Sequence, residues 1–224
     1  MAEGDIPNRF LTSSQTLASY DFIDIAEGTG VVQYYGAENS ASYFLTANAN
    51  IFSNLVLTTT QSSATTDTIQ HDRDFDITFL LPKNLKGNVY VSVPSHILNN
   101  SGSSQTIQAY VKVYVRKWDG TTETAIANAT SDTLNTGNIA NGANVQGAFG
   151  VSVAVNTLQH FKAGETLRIT IEYHGWSSVG SAKYTIGHDP QNRAEDMYLP
   201  STSSGVAFSV STKMQFSVPF KMEL

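Results

Sequence analysis

Histidine titrates nearest neutral pH, so the five in this chain are the first places to look for acid–base or metal chemistry: His71, His96, His160, His174 and His188. No two of them stand at a metal-ligand spacing such as H-x-x-x-H. His174 precedes Gly175-Trp176 at the end of an alternating run. His188 opens the segment His188-Asp189-Pro190-Gln191-Asn192-Arg193, where an imidazole stands beside a carboxylate and a guanidinium. That set could do acid–base work. The plainer reading is preferred: an Asx-Pro turn in which Asp189 and Arg193 pair locally or across a subunit boundary, marking His188, Asp189 and Arg193 as an interface loop.

Two further stretches look chemical and fail on context. Asp72-Arg73-Asp74-Phe75-Asp76 resembles an acidic metal comb, but a calcium loop would need glycine at 77 and glutamate at 83, where Ile77 and Lys83 stand. It reads instead as the wet side of a strand. Gly28-Thr29-Gly30 lacks the third glycine of a dinucleotide turn, with Gln33 in its place, and no helix start follows. A G-x-S-x-G nucleophile elbow is absent. A triad or a carboxylate pair assembled from distant positions is a matter of geometry and stays open. No cofactor is expected.

Tyr110, Tyr114 and Trp118 share one face of a run whose other face is Val111, Val113 and Val115. Three rings in a row suit a core, a subunit interface or, if they face water, a sugar platform. The first two readings are preferred.

The elements that carry these residues all repeat with period two. Ile107–Val115, Phe149–Val155, Leu167–Tyr173 and Val206–Met222 alternate apolar with polar residues, as half-buried strands do. Asp119-Gly120 marks a hairpin with a return strand over 121–126. Pro82 and Pro94 are expected to close strands over 74–81 and 89–93, and 51–60 reads as a strand buried on both faces. Residues 128–147, rich in Asn, Gly, Ala and Thr, read as a long functional loop whose only core candidates are Leu134, Ile139 and Val145. About nine or ten strands without alternating helices argue against a parallel βαβ sheet. The expectation is an all-β, antiparallel, jelly-roll-like β-sandwich of one domain over 20–224, preceded by an extended N-terminal arm over 1–19.

Composition narrows the partners. Charged residues make up only 14%, the net charge is −6 and no basic cluster stands out, which disfavours nucleic acid and anionic membranes. With no cysteine there is no disulfide or thiolate chemistry. The start, Met1-Ala2-Glu3-Gly4-Asp5, has no apolar signal region, so synthesis in a cytoplasm without export by that route is expected.

Two patches resemble virion structural proteins of tailed bacteriophages, marine ones in particular: Asp24 to Gly36, and Tyr184 to Arg193. The resemblance implies a jelly-roll or similar sandwich displayed on a capsid or tail, and transfers no site residue. It leads to the expectation of a non-enzymatic virion protein, a capsid decoration or minor capsid component. Such a protein would bind the major capsid protein or other virion proteins and form a homo-oligomer, a trimer for instance. The alternative is a receptor- or glycan-binding module of a tail fibre or adhesin.

Overall fold

The structure, a computed structural model, describes residues 18–19, 29–40, 42–193 and 211–221. Thirteen strands run through them: β1 Ala18–Ser19, β2 Thr29–Glu38, β3 Tyr43–Thr46, β4 Leu57–Ser62, β5 Ile69–Thr78, β6 Lys83–Asn99, β7 Gln105–Trp118, β8 Glu123–Thr130, β9 Leu134–Ile139, β10 Asn144–Phe161, β11 Thr166–Ser177, β12 Ala182–Gly187 and β13 Gln215–Lys221. No helix occurs among the described residues. The all-β expectation stands.

The strands form one continuous sheet that folds over on itself, in the order β4-β12-β6-β13-β2-β3-β5-β11-β7-β8. β1 adds to β2, β10 to β6 and β9 to β7. One layer holds β4, β12, β6, β10, β13 and β2; the other holds β5, β11, β7, β8 and β9. Every pairing is antiparallel except that of β3 with β5, so the sheet is mixed rather than purely antiparallel.

Inner faces are built from the alternation. Ile107, Ala109, Val111, Val113 and Val115 of β7 are fully buried, as are Leu167, Ile169, Ile171 and Tyr173 of β11. They meet Val89, Val91 and Val93 of β6 and Phe149, Val151, Val153 and Val155 of β10, all in the same core. Each buried Val, Leu, Ile or Phe side chain contributes about 1.5–3 kcal/mol. Ring contacts cross between the layers: Phe75 lies 5.4 Å from Phe216, and Phe149 lies 5.7 Å from Tyr173. β2 carries the chain from one layer to the other, pairing with β13 up to Tyr35 and with β3 from Tyr35 onward. At that crossing Gly36 lets Phe75 and Phe216 close in; a Cβ there would come within 2.7 Å of the Phe75 ring.

Several boundaries differ from expectation. β6 runs straight through Pro94. On one edge it pairs with β13 up to Ser92 and with β12 from Ser95. Pro94 sits at the change of neighbour, where its missing N–H breaks no ladder. The expected loop over 128–147 is largely strand, holding the end of β8, all of β9 and the start of β10. The expected strand over 51–60 begins only at Leu57, and Phe52 and Leu55 are exposed rather than core. From Ser211 to Val218 the last run alternates as expected. Its part over 206–210, and the N-terminal arm up to residue 17, lie outside the described residues.

Candidate functional site

The outward face of β5, β11, β7 and β8 concentrates the charged and aromatic residues. Antiparallel register sets them in rows. Arg168 of β11 stands between Asp76 of β5 and Arg116 of β7, Thr170 between Asp74 and Tyr114, and Glu172 between Asp72 and Lys112. His174 pairs with Tyr110 at the end of the series. Side chains on one face of paired strands lie close enough for direct contact, so register alone makes this cluster.

Two networks result. In the first, Arg168 makes two 2.8 Å hydrogen bonds to the Asp76 carboxylate, one of 2.8 Å to Glu123, and lies 3.5 Å from Asp74. Its guanidinium covers the Trp118 ring at 5.4 Å. The hydrogen bonds it donates to Asp76 hold it charged well above the ordinary arginine range. Arg116 completes the network through Glu123 at 2.8 Å.

The second network centres on His174. Its ring stacks on Tyr110, with centroids 4.5 Å apart and planes within 12°. Nδ1 lies 2.9 Å from Asp67 Oδ1, and the Tyr110 hydroxyl donates to Asp67 Oδ2 at 2.7 Å. On the other side, Nε2 lies 3.5 Å from Glu172, which accepts a 3.0 Å hydrogen bond from the Tyr114 hydroxyl. Burial raises the Tyr110 phenol to about 12, and the bond to Asp67 adds to this. Burial alone would raise the Asp67 carboxyl; the hydrogen bonds from Tyr110 and His174 outweigh it and leave it below its ordinary value. Asp72 is pushed up, first by burial and then by its neighbours Asp74 and Glu172.

All three aromatics singled out in the sequence are therefore on this face, half-buried rather than core. Each has a ring face occupied: Tyr110 by His174, Trp118 by Arg168, and Tyr114 by Lys112 and Arg116, 4.7 and 4.6 Å from its centroid. Of their partners, His174 stands out in the sequence as an imidazole, whereas Asp67, Glu172 and Arg168 do not, although the alternation of Arg168, Thr170, Glu172 and His174 against Leu167, Ile169, Ile171 and Tyr173 is a usable signal.

The His188 segment stands apart and does not assemble as an acid–base set. Asp189 takes Arg193 in a local ion pair, 3.0 Å between Nε and Oδ2, and Arg193 also donates to the Ser53 carbonyl. His188 is fully buried and its Nε2 lies 2.9 Å from the Thr58 hydroxyl instead. Burial lowers its pKa to about 4.

A nucleophile relay needs an imidazole whose two nitrogens serve a hydroxyl and a carboxylate separately. Three hydroxyl–imidazole contacts exist among the described residues, and none completes the relay. At Thr58–His188 the second nitrogen, Nδ1, has no hydrogen-bond partner. At Thr60–His71 it meets the Tyr184 carbonyl. At Tyr110–His174 the hydroxyl and Asp67 both lie against Nδ1, while Nε2, 3.5 Å from Glu172, makes no hydrogen bond. Among the described residues no three His, Asp or Glu side chains form a metal-binding group.

No protein-family model and no curated protein sequence matches the chain. Solved structures do. An α-amino acid ester hydrolase superposes with a TM-score of 0.51 at 9% identity, covering 84% of this chain and 36% of that one. A CocE/NonD family hydrolase of Staphylococcus aureus gives 0.45 at 13% identity, over 87% and 37%. An aminopeptidase from a marine sediment Thaumarchaeota archaeon gives 0.46 at 7% identity, over 84% and 36%. The chain thus spans little more than a third of each. The expectation of a non-enzymatic virion protein is corrected by this result: the fold is one found within a hydrolase. Strand patterning could not have told the two apart, because one sandwich architecture serves unrelated functions.

Proposed function

We propose that this chain is the β-sandwich part of an ester or amide hydrolase, and that its charged aromatic face on β5, β11, β7 and β8 is turned toward the substrate. The observation that carries the reading is the fold shared with an α-amino acid ester hydrolase over 84% of this chain. The likeness takes in 36% of that enzyme, which fits one part of a larger catalytic body. The hydroxyl–imidazole contacts described above support the same division of labour, with the attacking group coming from outside the described residues. The face itself offers what a small α-amino ester would need. Tyr114 and Trp118 supply apolar surface, and the Asp72, Asp74 and Glu172 carboxylates supply attraction for an ammonium group.

The chain has two tryptophans, Trp118 and Trp176, and both lie on this face, so indole fluorescence reports on it alone. Titration with phenylalanine methyl ester is expected to give a saturable fluorescence change in the millimolar range. Trp118→Phe should remove most of it, and the N-acetylated ester should bind more weakly. No saturable change with the free-amine ester would overturn the proposal.

A further inference from the structure

The inward positions of β10 read, back along the strand, Val155, Val153, Val151 and Phe149, all buried. The next inward position by period is Gly147. Gly147 is exposed, so the buried apolar series along this face stops at Phe149. Space is left: a Cβ built on Gly147 would meet no atom within 4 Å. The glycine is not there for its backbone freedom, since its φ is not in the left-handed region.

The space is a cleft of about 350 Å³ between β10 and the β8–β9 connection. Leu134, Val145 and Phe149 line its apolar part. Its floor is rigid. Phe149 packs edge-on against the buried Tyr173 ring, whose hydroxyl shares a 2.8 Å hydrogen bond with Ser95, itself a lining residue. At the mouth stands Asp132, exposed and in no ion pair among the described residues.

We infer that this cleft is a binding site for a compact aromatic amine. An apolar cavity of about 150 Å³ holds benzene, so a space of this size takes a ring with a short chain. The ring would lie on Phe149 and Leu134 where the side chain of residue 147 would otherwise be. The ammonium would reach Asp132 at the rim, and the Ser95 hydroxyl keeps acceptor capacity for a donor at the floor. An anionic group would face the Asp132 carboxylate and is disfavoured. This site is separate from the charged aromatic face and does not depend on the hydrolase reading.

The test is NMR titration of the full chain with phenethylamine, following the methyl resonances of Leu134 and Val145, with phenylacetate as the anionic control. Saturable shifts with the amine and not the acid are expected. Gly147→Val should abolish them, since a Cβ there meets no atom within 4 Å and the side chain would stand in the cleft where the ring would lie. Asp132→Asn, at the surface, should weaken binding about fivefold. Absence of saturable shifts, equal binding of phenylacetate, or binding unaltered in Gly147→Val would each overturn the inference.

Discussion

Single residues decide how closely the two layers approach. Gly36 and Gly175 are both places where a side chain is excluded by an aromatic ring from the facing layer. A Cβ on Gly175 would sit 2.4 Å from the Tyr184 ring, and one on Gly36 would sit 2.7 Å from Phe75 and 3.3 Å from Phe216. Tyr184 and Phe75 are fully buried and cannot swing out. Overpacking of this kind costs about 1–3 kcal/mol. Gly36→Ala and Gly175→Ala should therefore both lower the urea midpoint, the second more than the first because its approach is shorter. Gly150→Ala, with open space around its Cβ, should leave the midpoint unchanged. An equal effect at all three would mean that strand entropy, not ring contact, sets the cost.

At the scale of elements, β11 is the strand that holds the outward face together, because it lies between β5 and β7 and its Arg168 reaches the Glu123 side chain of β8 as well. Arg168→Met keeps the stem packed but leaves Asp74, Asp76 and Glu123 facing each other without their shared cation. Removing one member of a half-buried ion-pair network should cost about 1–3 kcal/mol and uncover Trp118, read as a lower urea midpoint and a red-shifted indole emission. The strands of this face were legible in the sequence because period-two alternation is a direct consequence of one wet and one dry side. β7 shows it from Gln105 to Arg116 and β11 from Ile171 to Ser177. β9 was not legible: it is an edge strand whose six residues hold only Leu134 and Ile139 as apolar anchors, and β-propensity is weak in Asn, Gly and Thr-rich runs. The continuation of β6 past Pro94 was hidden because proline usually ends a ladder, and only the three-dimensional change of neighbour makes it harmless. The site was half legible. Tyr110, Tyr114 and Trp118 announce a face by spacing and His174 stands out as an imidazole, whereas Glu172 and Arg168 of β11 need register to be placed beside them and Asp67 comes from the β4–β5 connection.

For the whole molecule, the seam between layers is held in part by imidazoles that must stay neutral. His71 of β5 bonds the Tyr184 carbonyl of β12 at 2.9 Å and meets the Thr60 hydroxyl of β4, so it ties one layer to the other. The carbonyl can only accept, so Nε2 carries the proton and Nδ1 accepts from Thr60. His188, just beyond β12, bonds Thr58 of β4 and packs edge-on to the Tyr43 ring of β3, 5.2 Å away. Burial lowers both to about 4 from the ordinary 6.5. Between those limits the unfolded chain binds protons that the folded chain refuses. Stability is therefore full above about pH 6.5 and falls as pH drops toward 4, by about 1.4 kcal/mol per pH unit for each imidazole. Below about 4 both states are protonated and this source of loss ends. Equilibrium urea unfolding from pH 7.5 to 4 should show a declining free energy over that window. His71→Gln keeps a donor for the Tyr184 carbonyl and cannot titrate, so it should flatten the slope by about 1.4 kcal/mol per unit, at some cost in stability at pH 7. A slope unchanged in His71→Gln would show that the interlayer imidazole is not what acid attacks.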